Sequence, residues 1–208
     1  MENTHDFSML ETTDQASDDP FALFGAWFGA ARQSEPADPD AMSLATIDAA
    51  GRPSVRIVLM KSYDARGFVF YTNRNSYKGQ ALAANHHAAL CFHWKSLARQ
   101  VRIQGIVNHV SELESDAYFA SRPRGSKIGA WASRQSETLE NRSVLAERVK
   151  KFEQEFDNRP DIPRPPHWAG YRIVPDKIEF WDDGTYRLHT RLLYTKDGDL
   201  WRKTMLYP

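Results

Sequence analysis

The chain carries a single cysteine, Cys91, among its 208 residues. That excludes an internal disulfide and points to a reducing compartment. Cys91 sits in the apolar run "AALCFHW", where a buried thiol is expected. There is no surplus of charge of either sign, with 27 Lys and Arg against 27 Asp and Glu, which argues against a protein that coats nucleic acid or an anionic membrane. No run approaches the roughly 20 apolar residues that span a bilayer. The N-terminus "MENTHDFSMLETTDQASDD" has neither the basic start nor the apolar centre of a signal peptide. A soluble cytoplasmic protein is expected. Chemical motifs are missing too: there is no GxGxxG, P-loop, GxSxG elbow or HExxH. Cys91 with His93, and His86 with His87, lack metal-ligand spacing, so no metal site is expected.

What is present is enough apolar and aromatic residue, 41% and 12%, to fill the core of one sizeable domain. Residues 1–18 read as a flexible acidic arm and residues 19–208 as one domain. Asp19 caps a helix with Pro20 at its first position. "MSLATID", "SVRIVLMKSYD" and "FVFYTN" then read as strands of an antiparallel meander, followed by a short helix at "YKGQALAAN" and strands at "AALCFHW" and "RQVRIQGIVNHV". Ser111 and Glu114 form a capping box for a helix over "ELESDAYFASR". "ETLENRSVLAERVKKFEQEF" has helical periodicity, and the end returns to strand at "YRIVPDKIEFW", "YRLHTRLLYT" and "LWRKTMLYP", with "KDGD" as a hairpin turn. The fold class expected is α+β, a small, mostly antiparallel barrel flanked by helices.

The charge, balanced overall, is uneven locally. "SRPRGSKIGAWASRQS" places Arg122, Arg124, Lys127 and Arg134 in sixteen residues without one acid. Ser126 is expected to cap a helix starting at Lys127, whose free N–H groups would face an anion within reach of Arg122; the alternative is a basic surface turn. In "RLHTR", strand alternation would put Arg187, His189 and Arg191 on one face, either as a solvated face or beneath an anion or electron-rich ring. In "RIVLMK", alternation would put Arg56 and Lys61 on opposite faces. Gln135 and Ser136 of "RQSE" offer neutral donors and acceptors for a heterocycle's edge.

In order and spacing, "RIVLMK", "GFVFYTN", "SYKGQAL", "RQVRIQG", "YFASRPRGSKIGAWASRQS", "PPHWAGYRI", "IEFW" and "RLHTR" resemble the pyridoxine (pyridoxamine) 5'-phosphate oxidase family, from about Asp19 to Pro208. The resemblance implies an FMN-binding split β-barrel, acting as a homodimer with FMN at the interface. It also implies oxidation of pyridoxine 5'-phosphate or pyridoxamine 5'-phosphate to pyridoxal 5'-phosphate, by hydride transfer from substrate C4' to flavin N5, with O2 reduced to H2O2. By motif, Arg56, Lys61, Tyr71, Thr72, Lys78, Gln100, Gln135, Ser136, Trp181 and Arg191 fall on FMN-binding positions. Lys61, Tyr118, Arg122 and Ser126 fall on positions for the substrate phosphate. Arg187 and His189 resemble the catalytic pair that lies over the pyridine ring. Two positions depart from the pattern: Thr190 stands where an Asp is usual, and Tyr77 where some members have an Arg.

Overall fold

The computed structural model describes residues 16–208, so most of the expected arm lies outside the described residues. The last three of its residues pack down: the Ser17 carbonyl accepts from the Tyr194 hydroxyl at 2.6 Å, and Asp18 pairs with Lys203 at 2.7 Å.

Helix α1 (Pro20–Ser34) starts as expected, the Asp19 carboxylate accepting from the Phe21 N–H. It drives Phe24, Trp27 and Ala31, all fully buried, into the barrel. Strands β1 (Ala41–Ile47), β2 (Pro53–Leu59), β3 (Ser62–Asp64) and β4 (Gly67–Asn73) follow, then α2 (Tyr77–Ala84), β5 (His87–Trp94) and β6 (Arg99–His109). The chain continues through α3 (Glu112–Ser121), α4 (Arg124–Ala132) and α5 (Arg142–Glu155) to β7 (Trp168–Asp182), β8 (Thr190–Asp197) and β9 (Leu200–Leu206). All the strands join one antiparallel sheet ordered β2-β1-β5-β6-β7-β4-β3, with β8 and β9 added at β7. Among the described residues the sheet curls into a split barrel flanked by five helices, the fold class expected.

The arrangement of β7 positions everything functional. Along one edge it pairs with β6 over nearly its whole length; along the other, residues 168–173 pair with β4 and residues 177–182 with β8. Between them the register shifts at Pro175 and Asp176, because proline offers no N–H to the ladder. One strand thus serves two separate places.

Four local expectations are corrected. "SVRIVLMKSYD" is two strands, broken at Met60 and Lys61. The capping box is half made: Ser111 Oγ accepts from the Glu114 N–H at 3.1 Å, but the Glu114 carboxylate is drawn to Arg172 at 2.7 Å. Ser126 is not a cap, since α4 begins at Arg124 after Pro123 and Ser126 lies in its first turn. Proline, with φ fixed near its helical value, starts the helix earlier than a hydroxyl would. Finally, "YRLHTRLLYT" is not one strand. Thr185–Arg187 is a 3-10 turn in which Tyr186 and Arg187 take φ of 58° and 66°, and β8 starts only at Thr190.

Candidate active site

Two clusters emerge, one at each end of β7. The first surrounds a cavity of about 300 Å3 lined by Arg56, Lys61, Tyr71, Thr72, Lys78, Tyr118, Arg122, Gln135 and Trp168. A second hollow of about 390 Å3 shares Tyr71, Thr72, Arg122, Gln135 and Trp168 and adds Ser126. Nine of the positions singled out from sequence therefore line one connected region. Arg56 and Lys61 reach it together, contrary to the opposite faces that alternation suggested, because the break after Leu59 ends the alternation.

The cavity is a cation cluster without a lining carboxylate. Arg56 is anchored by Thr46 Oγ1 at 2.7 Å and by the Leu44 and Ser54 carbonyls. Lys78 Nζ donates to Thr72 Oγ1 at 3.3 Å and Gln135 Oε1 at 3.4 Å. Burial, reinforced by the neighbouring Arg56, holds the Lys78 ammonium below the ordinary lysine range. Lys61 is paired with Asp40 at 3.0 Å, just outside the cavity lining. Ser136, at φ 76°, turns its Oγ to accept from the Tyr77 N–H at 3.2 Å.

Arg122 is the most telling group. Its guanidinium lies over the rings of Trp168 at 5.1 Å and Phe119 at 5.5 Å, and its buried Nη1 has no hydrogen-bond partner. Burial lowers its pKa. A buried guanidinium N–H without an acceptor is costly, so a ligand oxygen is the natural partner.

The wall is a stack of three nearly parallel rings: Tyr71 on Tyr118 at 4.1 Å, and Tyr71 on Trp168 at 5.0 Å. Gly170, opposite Tyr71 in the ladder, permits it, since a Cβ there would lie 2.5 Å from the Tyr71 ring. Behind the wall, Arg164 donates to the Trp168 carbonyl and pairs with Asp116 at 2.6 Å and with Glu112, so α3 is tied to the start of β7. Trp168 and Arg164 were not given roles from sequence. In sequence Trp168 figures only within the resembling stretch "PPHWAGYRI", without a role of its own.

The second cluster holds five of the six remaining predicted residues, Ser136 being the sixth. Gln100 and Arg191 flank Trp181 in the ladder. Arg191 pairs with Glu179 at 2.9 Å and donates to the Tyr207 carbonyl. His189 lies against the Trp181 ring at 4.5 Å, and its Nδ1 is 3.0 Å from Asp183. Arg187, His189 and Arg191 do not share a strand face as expected: the left-handed turn carries Arg187, and His189 precedes β8. The turn closes tightly, as a Cβ on Gly184 would meet the Leu188 carbonyl at 2.1 Å. Tyr186 and Leu188 project from it, 90% and 70% exposed.

Gly170, beside the first cluster, and Trp181, in the second, are eleven residues apart on β7, roughly 35 Å of strand contour. A curled antiparallel barrel with a cationic, aromatic-walled cavity has the chemistry to hold an anionic ring compound.

Comparison with known proteins carries this further. Residues 13–156 match the family profile described as pyridoxamine 5'-phosphate oxidase, and residues 168–208 match the pyridoxine 5'-phosphate oxidase C-terminal dimerisation region. The chain is similar to pyridoxine/pyridoxamine 5'-phosphate oxidases of Gluconobacter oxydans (56% identity over 190 residues, 91% of this chain and 94% of that one) and Brucella canis (54% over 195 residues, 92% and 95%). Among solved structures, PhzG from Burkholderia lata 383 in complex with tetrahydrophenazine-1-carboxylic acid superposes with a TM-score of 0.90 at 31% identity, covering 99% of this chain and 98% of that one. The chain belongs to the pyridoxine/pyridoxamine 5'-phosphate oxidase family, and it is an oxidoreductase.

Proposed function

We propose that this enzyme oxidises pyridoxine 5'-phosphate and pyridoxamine 5'-phosphate to pyridoxal 5'-phosphate with FMN as cofactor, in a homodimer whose two active sites each combine the first cluster of one subunit with the second cluster of its partner. The single observation that carries the reading is the buried, unpartnered Arg122 Nη1 at a cavity with four cations and no carboxylate. Two phosphates, one on the cofactor and one on the substrate, would offset that charge. The donor set fits: Arg56 and Lys78 for the cofactor phosphate, Thr72, Gln135 and Ser136 for the polar edge of the isoalloxazine, and Lys61, Tyr118, Arg122 and Ser126 for the substrate phosphate. From the partner would come Gln100, Trp181 and Arg191 toward the cofactor, with Arg187 and His189 over the pyridine ring.

The bound flavin would supply the two-electron acceptor for hydride leaving C4', with O2 reduced to H2O2. The protein's own contribution is positional. Arg122 and its neighbours grip the phosphate far from the reacting carbon, and that binding energy orients C4'. Tyr186 and Leu188, exposed in one chain, would pack into the partner and keep water off the ring.

Purified enzyme supplied with FMN and pyridoxine 5'-phosphate in air should form pyridoxal 5'-phosphate and peroxide in equal amounts, while unphosphorylated pyridoxine should react poorly. Equal turnover of the two compounds would contradict the reading. The likeness to PhzG raises a second reading, a phenazine-type substrate; an unphosphorylated substrate would leave the buried Arg122 Nη1 without the acceptor a phosphate supplies.

A further inference from the structure

We infer that Asp40 is a positioning residue that competes with the substrate phosphate for Lys61, so that each binding event has to draw the Lys61 ammonium off the Asp40 carboxylate. This rests on the reading that Lys61 belongs to the phosphate grip. The four cavity cations differ in what holds them. Arg56 and Lys78 donate to neutral oxygens, and the buried Arg122 Nη1 has no acceptor. Among the described residues Lys61 is the one of the four that is paired with an acid, its Nζ lying 3.0 Å from Asp40 Oδ2. Asp40 does not line the cavity. It lines a neighbouring hollow of about 460 Å3, and Lys61 lines both. The backbone sets Lys61 between the two: the Met60 N–H donates to the Asp40 carbonyl at 2.9 Å, and the Lys61 N–H to the Val69 carbonyl at 2.8 Å. These bonds fix the main chain at the break between β2 and β3, so an exchange of partners falls to the flexible four-carbon side chain of Lys61. With side chains 28% and 25% exposed, the pair is firm enough to form and weak enough to break. Arg32 lines the same hollow as Asp40 and offers the released carboxylate a second cation.

The consequence falls on binding rather than on chemistry. The 5'-phosphate is common to the substrates and the aldehyde product of the proposed reaction, so a grip on it binds all of them alike. Asp40 weakens that grip on each by the cost of breaking one ion pair, and thereby eases release of the product.

The test uses FMN-saturated holoenzyme. Asp40→Asn keeps the backbone contact to Met60 and removes the charge. In this variant KM for pyridoxine 5'-phosphate and the inhibition constant of pyridoxal 5'-phosphate should fall together by about two- to fivefold, with kcat no higher. KM for unphosphorylated pyridoxine should stay as it was. In a Lys61→Met background the same substitution should change neither constant. A KM that is unchanged or raised in Asp40→Asn would overturn the inference, since Asp40 would then be idle or would aim Lys61 at the phosphate. A fall that persists in the Lys61→Met background would overturn it as well, because Asp40 would then act by repelling the phosphate directly. Binding of pyridoxal 5'-phosphate, followed by quenching of tryptophan emission, gives the same comparison without turnover. Failure of the functional reading is therefore distinct: wild type would bind the phosphorylated aldehyde without oxidising its reduced forms, whatever Asp40 does.

Discussion

Single residues carry the site's electrostatics. Arg122 was legible from sequence because an acid-free basic stretch is conspicuous in a charge-balanced chain, but its burial and its unpartnered Nη1 depend on Trp168 and Phe119 closing over it. A charge-assisted hydrogen bond is worth about 1.5–3 kcal/mol, so Arg122→Met should raise KM for pyridoxine 5'-phosphate about tenfold to a hundredfold. KM for unphosphorylated pyridoxine should stay as it was, which steady-state assays on both compounds would check. Lys78 gives a pH signature. Burial, with Arg56 beside it, lowers its pKa, so its charge is lost below the pH at which an ordinary lysine titrates. FMN phosphate stays fully ionised there, so FMN affinity should fall on the alkaline side as Lys78 neutralises. Fluorescence titration of Lys78→Gln should give weaker binding with that alkaline fall removed. Parallel pH profiles for the two proteins would count against a Lys78–phosphate contact. Residue identity alone showed neither shift, since both come from burial that only the fold creates.

At the scale of elements, periodicity and caps foretold most helices and strands, and they failed where two signals competed. In "SVRIVLMKSYD" continuous strand propensity hid the break at Met60, and that break is what brings Arg56 and Lys61 to one cavity. In "YRLHTRLLYT" the alternation of apolar residues hid a left-handed turn, because nothing in Tyr186 or Arg187 announces a positive φ. The role of Arg164 was equally invisible: its partners lie 48 and 52 residues away in sequence, on α3. Since it fastens α3 to Trp168, Arg164→Ala should lower stability by about 2 kcal/mol and loosen the Tyr71–Tyr118–Trp168 stack. Denaturant melts and the tryptophan emission of the folded state would check both effects. Unaltered stability would mean that the network is only a surface contact.

For the whole molecule, the sequence implied a barrel and a dimer through its resemblance to a family, and the structure places the two clusters at opposite ends of β7, a separation that the proposed dimer would bridge. Equimolar mixing of Arg122→Met and His189→Gln subunits, assayed at pyridoxine 5'-phosphate far below the raised KM of Arg122→Met, should give more turnover than either variant alone, because one site of every mixed dimer then contains both wild-type residues. If both residues served the same subunit's site, mixing would restore nothing. The account as a whole stands on one reaction, so its most direct test is anaerobic mixing of the FMN-loaded enzyme with pyridoxine 5'-phosphate while flavin absorbance is followed. The account predicts bleaching of the flavin with stoichiometric pyridoxal 5'-phosphate, then recovery of the yellow colour and release of peroxide when air is admitted. A flavin that stays oxidised with both pyridoxine and pyridoxamine 5'-phosphates would contradict it.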